Sequence, residues 1–323
     1  MAPIKWFMEW RERRREKLDR TREKRFRRRY RVYQVGFFML LGTLGFTVYA
    51  NFDYWAFRIL IAHNYVFTDA LDELYGQHIL EENRRSFGRD FDRVVISVVT
   101  GALSEINNDR FTYLYAPQEI QHVRAVDRVI ARRVEVEVLN EDTVRLFIPN
   151  ISRYTREFVY EHRDFMAQFP NMVLDLRGNY GGWLPDAHRI ASLFTPRNVT
   201  LSYHQTRMSF FTETITSRGE QFFHFENVVI LQDRRTASAA EVLILALREH
   251  TPNVVTIGYR TVGKGIGQVT VPLTSGYAVR ATVLNVLGPV GQSIHLVGIY
   301  PDIPADPYID MVEQALEIIA NSR

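Results

Sequence analysis

Ser238 heads the run TASAAEVLILALREH (236–250), where an apolar strand, VVILQ (228–232), gives way to a predicted helix that is apolar almost all round. Two readings use the same geometry. Ser238-x-x-Glu241 is a capping box, with serine as N-cap and glutamate at the third helical position. A serine between a strand end and a helix start also sits where backbone N–H groups point outward and can stabilise an oxyanion. Lys264, in GYRTVGKGIGQVTVPL (258–273), lies between Gly263 and Gly265, which suggests a close backbone approach at a site. Gln268 follows four residues later and faces the same side if the segment is extended. In LDLRGNYGGW (174–183) a buried strand runs into a glycine-rich loop and then a helix. Gly181 and Gly182 there offer N–H groups free of side-chain obstruction, or simply a turn.

Other chemistries find less support. Gly258 and Gly263–Lys264 have the spacing of a phosphate-binding loop, but Gly265 replaces the Ser or Thr it needs and a strand follows where a helix should. His188, His204, His224, His250 and His295 are scattered, without a nucleophile-partner motif or metal-ligand spacing. The chain has no cysteine, which excludes disulfides, thiolate zinc sites and a cysteine nucleophile. No cofactor or metal is called for.

The elements that must position these residues alternate. Helices are expected over 66–84, 90–107 (Asp90 as N-cap), 153–168, about 184–194, 239–250 and 306–320. VEVEVL (134–139) and TVRLFIP (143–149) read as a hairpin, and NMVLDLR (171–177), VVILQ, VVTIG (254–258), QVTVPL (268–273) and YAVRATVLNVL (277–287) as strands. The pattern predicts an α/β fold with a partly parallel sheet.

Residues 1–31 hold 14 Lys and Arg against 5 Asp and Glu, while the rest of the chain holds 26 against 32. The uncharged run 32–52 would span about 31 Å as a helix, one hydrocarbon core. Tyr33, Tyr49 and Tyr54 lie near its ends. The basic block predicts a single-pass membrane anchor with a cytoplasmic N-terminus. A cleaved signal peptide lacks a clear small-x-small site here, and topology and anionic lipid explain the arginines without nucleic acid.

Taken together, GALSEINNDRFTYLYAPQE, LDLRGNYGG, TASAAE, GKGIGQ and VGIYPDIPAD resemble, in order, segments of the carboxyl-terminal processing (tail-specific) protease family, over about residues 95–323. The resemblance implies a serine-type peptidase with Ser238 as nucleophile, Lys264 as general base and Gln268 orienting the lysine. It implies oxyanion donors at the Ala239 N–H and at Gly181 or Gly182. It also implies a mixed-sheet, crotonase-related core, cleavage of extracytoplasmic polypeptides, and activity near C-terminal tails. Only about 24 residues separate Glu119 from Thr143, so the PDZ domain that many relatives insert there is expected to be missing. The implied organisation is a basic cytoplasmic tail (1–31), an anchor (32–52), a helical region (53–130) and a protease core with a C-terminal helix (131–323). The alternative is a non-catalytic peptide-binding or scaffold protein on the same fold.

Overall fold

A computed structural model of the chain describes residues 14, 30–49, 52–65, 100–101, 109–207, 212–219 and 221–322. The chain divides into two compact units, Met1–Trp55 and Ala56–Arg323. The first contains helix α1 (Tyr30–Tyr49), 20 residues with a mean hydropathy of 1.4 and none of its apolar window buried. The Thr43 and Thr47 hydroxyls donate to the carbonyls of Met39 and Thr43, so α1 satisfies these polar groups internally. A helix α2 (Phe52–Ile59) passes into a π-helical turn, Leu60–Asn64. The helix expected at 66–84 and the Asp90 cap lie outside the described residues. So does the helix at 90–107, apart from Thr100 and Gly101, which are helical.

Among its described residues the second unit holds two sheets where the sequence pattern suggested one. The larger has six strands in the order β11-β8-β7-β4-β3-β2. These are β2 (Glu135–Asn140), β3 (Thr143–Phe147), β4 (Asn171–Asp175), β7 (Asn227–Gln232), β8 (Val254–Gly258) and β11 (Ile303–Pro304). All neighbours run parallel except β2, which pairs antiparallel with β3 as the expected hairpin. Successive residues of the central strands feed opposite faces, as the pleat requires. Met172, Leu174, Val228 and Ile230 enter one core, with Leu243, Ile244 and Leu247 from helix α6 (Ala239–His250). Helices α4 (Arg153–Met166) and α5 (Leu184–Ala191) complete that side. Val173, Val229, Leu231 and Ile257 pack on the opposite face against Ala315 and Ile319 of α7 (Met311–Asn321).

The second sheet is antiparallel and built on β10 (Ala278–Leu287), which pairs with β1 (Tyr113–Tyr115), β5 (Thr200–Gln205) and β9 (Ile266–Pro272); β6 (Thr212–Thr216) pairs with β5. Most expected elements appear within a few residues of their predicted bounds. The C-terminal helix begins later than expected, at Met311, because Asp310 caps it by accepting from the Val312 N–H. Helix α3 (Pro117–Ala131) lies at the end of the stretch assigned to a helical region (53–130), where no individual helix was read from the pattern. Ile120, Val123 and Ile130 share one face of the helix and are half-buried, and only Ala131 is buried. Its start is set by proline in the first turn and by the Glu119 carboxylate accepting from the Ala116 N–H. α3 and β2 fill the stretch between β1 and β3, so no further domain is inserted there.

Leu174 is fully buried in the central strand β4. Leu174→Ala is expected to lower unfolding stability by about 2–5 kcal/mol, read as a lower urea midpoint with an unchanged slope.

Candidate active site

Three loops leave the carboxyl ends of three adjacent parallel strands. β4 ends at Asp175, paired with Leu231 of β7, and Gln232 of β7 is paired with Gly258 of β8. The loop after β4 carries Gly181 and Gly182, the loop after β7 carries Ser238, and the loop after β8 carries Lys264. The carboxyl edge of a parallel sheet is where α/β folds place ligands. Cross-bonds fix the loops to one another. The Thr236 hydroxyl donates to the Leu176 carbonyl (2.9 Å), Ala237 N–H to Asn179 O (2.9 Å) and Val262 N–H to Thr236 O (3.0 Å).

Ser238 is the N-cap of α6 and has φ 57°, a backbone conformation that non-glycine residues seldom adopt. Of the expected capping box the glutamate half forms, while the Ser238 side chain makes no capping hydrogen bond. That glutamate half does more than cap. Glu241 is fully buried. One oxygen, Oε2, accepts from the backbone N–H of Ser238 (2.7 Å) and of Lys264 (2.9 Å). The two backbone nitrogens therefore cannot stand farther apart than these two bonds together. The other oxygen, Oε1, accepts from Gly263 N–H (2.7 Å) and from the Thr261 hydroxyl, which itself accepts from Ile299 N–H. Burial pushes the Glu241 pKa up, against the four donors that favour the ionised form.

Lys264 lies in the loop before β9, and its Nζ stands 5.0 Å from the centroid of the Phe111 ring. Burial pushes its pKa down to about 8, helped by the positive charge of Arg280 on β10 and opposed by Asp109 and Glu241. Among the described residues Nζ makes no hydrogen bond, to Ser238 Oγ or to any other acceptor. Gln268, on β9, donates from its amide to the Phe111 carbonyl (2.6 Å). Lysine and glutamine thus converge on Phe111, which sequence reasoning did not single out. Phe111 belongs to a strap, 109–112, pinned by buried Asp109. That carboxylate accepts from the Tyr65 hydroxyl (2.8 Å), the Thr112 hydroxyl, Phe111 N–H (3.1 Å) and the Thr282 hydroxyl of β10 (3.3 Å).

Gly181 (φ 98°) packs directly on the serine turn: a Cβ there would meet Ser238 Cβ and Ala237 O at 2.7 Å and Ala239 N at 3.0 Å. Its own N–H is taken by Asn179 Oδ1 (2.9 Å). Gly182 (φ 148°) bridges to Ile151 and would clash with its carbonyl if it carried a side chain. The N–H groups of Gly182 and Ala239 have no acceptor among the described residues.

His295 lies beside Phe111, with ring centroids 6.3 Å apart, while His188, His204 and His250 lie elsewhere. His188 Nε2 bonds Ser202 Oγ (2.9 Å), and His204 Nε2 approaches the same oxygen at 3.3 Å. Burial holds His188 down at about 3, and His250 bonds the Thr200 carbonyl. No group of His, Asp and Glu among the described residues could hold a metal ion, and a strand, not a helix, follows Lys264.

A family model described as Peptidase family S41 matches residues 144–305. The chain is 32% identical over 138 residues to the chloroplastic C-terminal processing peptidase of Tetradesmus obliquus, covering 43% of this chain and 29% of that one. It is 30% identical over 205 residues to the protein of Staphylococcus aureus strain N315 named "Probable CtpA-like serine protease", covering 62% and 38%. The chain thus spans well under half the length of these two relatives. A lipoprotein from Streptococcus agalactiae shares the fold, with a TM-score of 0.55, 20% identity, and coverage of 77% of this chain and 96% of that one.

Glu241→Gln keeps the shape of the side chain but turns an amide N–H₂ toward backbone donors. It is expected to lower stability by about 3 kcal/mol, measured by urea unfolding of the full chain. An unchanged midpoint would mean that the four donors do not depend on the carboxylate.

Proposed function

The chain belongs to peptidase family S41, and on that footing we propose that it is a serine endopeptidase working through Ser238 and Lys264. The observation that carries this reading is the shared carboxylate oxygen of Glu241, to which the backbones of Ser238 and Lys264 are both tied. A lysine acts as a base only when neutral, and a pKa near 8 supplies neutral amine close to neutral pH. In the reaction proposed, the Lys264 side chain swings from the Phe111 ring to the serine hydroxyl and takes its proton as Oγ attacks the peptide carbonyl. The N–H of Ala239 and a glycine N–H receive the developing oxyanion. Gly182 suits that role better than Gly181, whose N–H is already bonded to Asn179. The lysine ammonium then protonates the departing amine, leaving an acyl-enzyme on Ser238. Lys264 next deprotonates a water, which attacks the ester and frees the serine. Gln268 orients the lysine indirectly, by holding the Phe111 strap through its carbonyl.

The remaining parts of the reading follow from position and family. The core is a crotonase-related variant of the mixed α/β fold. α1 is a single membrane anchor with the basic residues 1–31 in the cytoplasm, which places the peptidase core (131–323) outside it. Its substrates are polypeptides there, cut near their C-terminal tails.

Turnover of an unfolded protein should vanish in Ser238→Ala. It should vanish equally in Lys264→Arg, because a guanidinium does not lose its proton. Cleavage by the unsubstituted chain should rise with pH and level off above about 8, falling about tenfold per unit below that. Residual turnover in Ser238→Ala, or a rate independent of pH from 5 to 9, would remove the assignment.

A further inference from the structure

A cavity of about 650 Å³ is lined by Arg110, Arg234, Arg260, Tyr259, Thr261, Val262 and Tyr300. It is built from the chain segments that carry the site. Arg234 lies four residues before Ser238 and Arg260 four before Lys264. Thr261 donates to Glu241, Val262 bonds the serine loop at Thr236, and Arg110 stacks on Phe111, the ring that holds the lysine amine.

The charge of this cavity is unbalanced. None of Arg110, Arg234 and Arg260 makes an ion pair with a described carboxylate; their contacts are to Phe111, Tyr259 and Tyr300. A second arginine-rich cavity, of about 240 Å³, is different, because Arg156 and Arg189 there both face buried Asp186. In the larger cavity the guanidinium of Arg234 lies over the Tyr259 ring at 5.3 Å and that of Arg260 over Tyr300 at 5.7 Å. Stacking occupies their faces; Arg260 gives one N–H to the Tyr300 hydroxyl (3.4 Å), and the remaining N–H groups of the two guanidiniums have no acceptor among the described residues. A guanidinium edge pairs two parallel N–H donors with the two oxygens of a carboxylate.

We propose that this cavity is an acidic-residue subsite, in which Arg110, Arg234 and Arg260 bind carboxylates of the polypeptide whose backbone lies at Ser238. The proposal rests on the peptidase reading for the identity of the ligand, but binding and cleavage are tested separately. The carboxylate can come from Asp or Glu side chains or from a free chain end.

The test uses the full chain in detergent with Ser238→Ala, so that peptides are held and not cut. Fluorescence anisotropy is measured with a labelled twelve-residue peptide containing an Asp–Glu pair and with its Asn–Gln counterpart, each with a free or an amidated C-terminus. The acidic peptide should bind about tenfold more tightly at low salt, and the preference should shrink as salt is added. In the double variant Arg234→Gln/Arg260→Gln the ratio should approach one, and Arg260→Glu should reverse it toward a Lys-containing peptide. A preference carried only by the free C-terminus assigns the same cavity to a chain end. Equal binding of acidic and neutral peptides, an unchanged ratio in the double variant, or tighter binding of a single-stranded oligonucleotide than of the acidic peptide overturns the proposal. Cleavage of the same peptides by the chain with Ser238 intact is scored apart. Its failure would remove the peptidase reading and leave the binding result standing.

Discussion

Taking a carboxylate out of water is unfavourable unless donors replace the lost solvent. Glu241 has no exposure, and four donors replace the water. Their origin matters more than their number. One comes from the serine turn and three from the loop after β8, so the bonds that compensate burial also hold two distant stretches of chain at one point. Either loop alone would leave the acid short of partners. The penalty for an unpaired buried charge thus holds the backbones of Ser238 and Lys264 together. The unusual φ at Ser238 fits this picture, since a turn held from both sides can retain a conformation that an isolated residue would leave.

The two sheets divide the work. The parallel sheet supplies the loops with the serine, the glycines and the lysine backbone. The antiparallel sheet sets the surroundings of the amine. Arg280 on β10 lowers the lysine pKa by charge, while Thr282 of the same strand holds Asp109, and through it the strap bearing Phe111. Asp109 acts in opposition to Arg280, drawing the pKa up. The value near 8 is therefore the balance of burial and one cation against two carboxylates, with the cation carried on β10 and one carboxylate, Asp109, bonded to it through Thr282.

What could be read from the sequence follows from the same physics. NMVLD, NVVILQ and VVTIG stood out because strands buried on both faces need unbroken apolar runs. Helix α6 stood out because residues 239–247 are all buried. Ser238, Glu241 and Lys264 lay at the ends of these segments and were visible for that reason. Phe111 was not, because its role arises from contacts with residues more than 150 positions away. Strands β5 and β6, TLSYHQ and TETIT, carry polar residues through much of their length, and β6 is largely exposed, so alternation gave no signal. Glu241 was legible only as half of a cap, since the three bonds from residues 261–264 depend on a loop that local pattern cannot place.

The choice between the two glycines shows where such reading must stop. Both have positive φ and both lie in one short motif. They differ in the direction of one N–H. Ile151 donates to the Gly181 carbonyl and accepts from Trp183, a parallel bridge that leaves the Gly182 N–H pointing away from that partner. Asn179, buried and itself donating to Ile148 O, turns its side-chain oxygen to the Gly181 N–H. A free donor at Gly182 is thus left by two neighbours, Ile151 and Asn179, consuming the alternatives. Replacing Asn179 would free the Gly181 N–H while leaving the Ile148 carbonyl without its partner. The donor geometry is therefore a property of the buried amide as much as of the glycines.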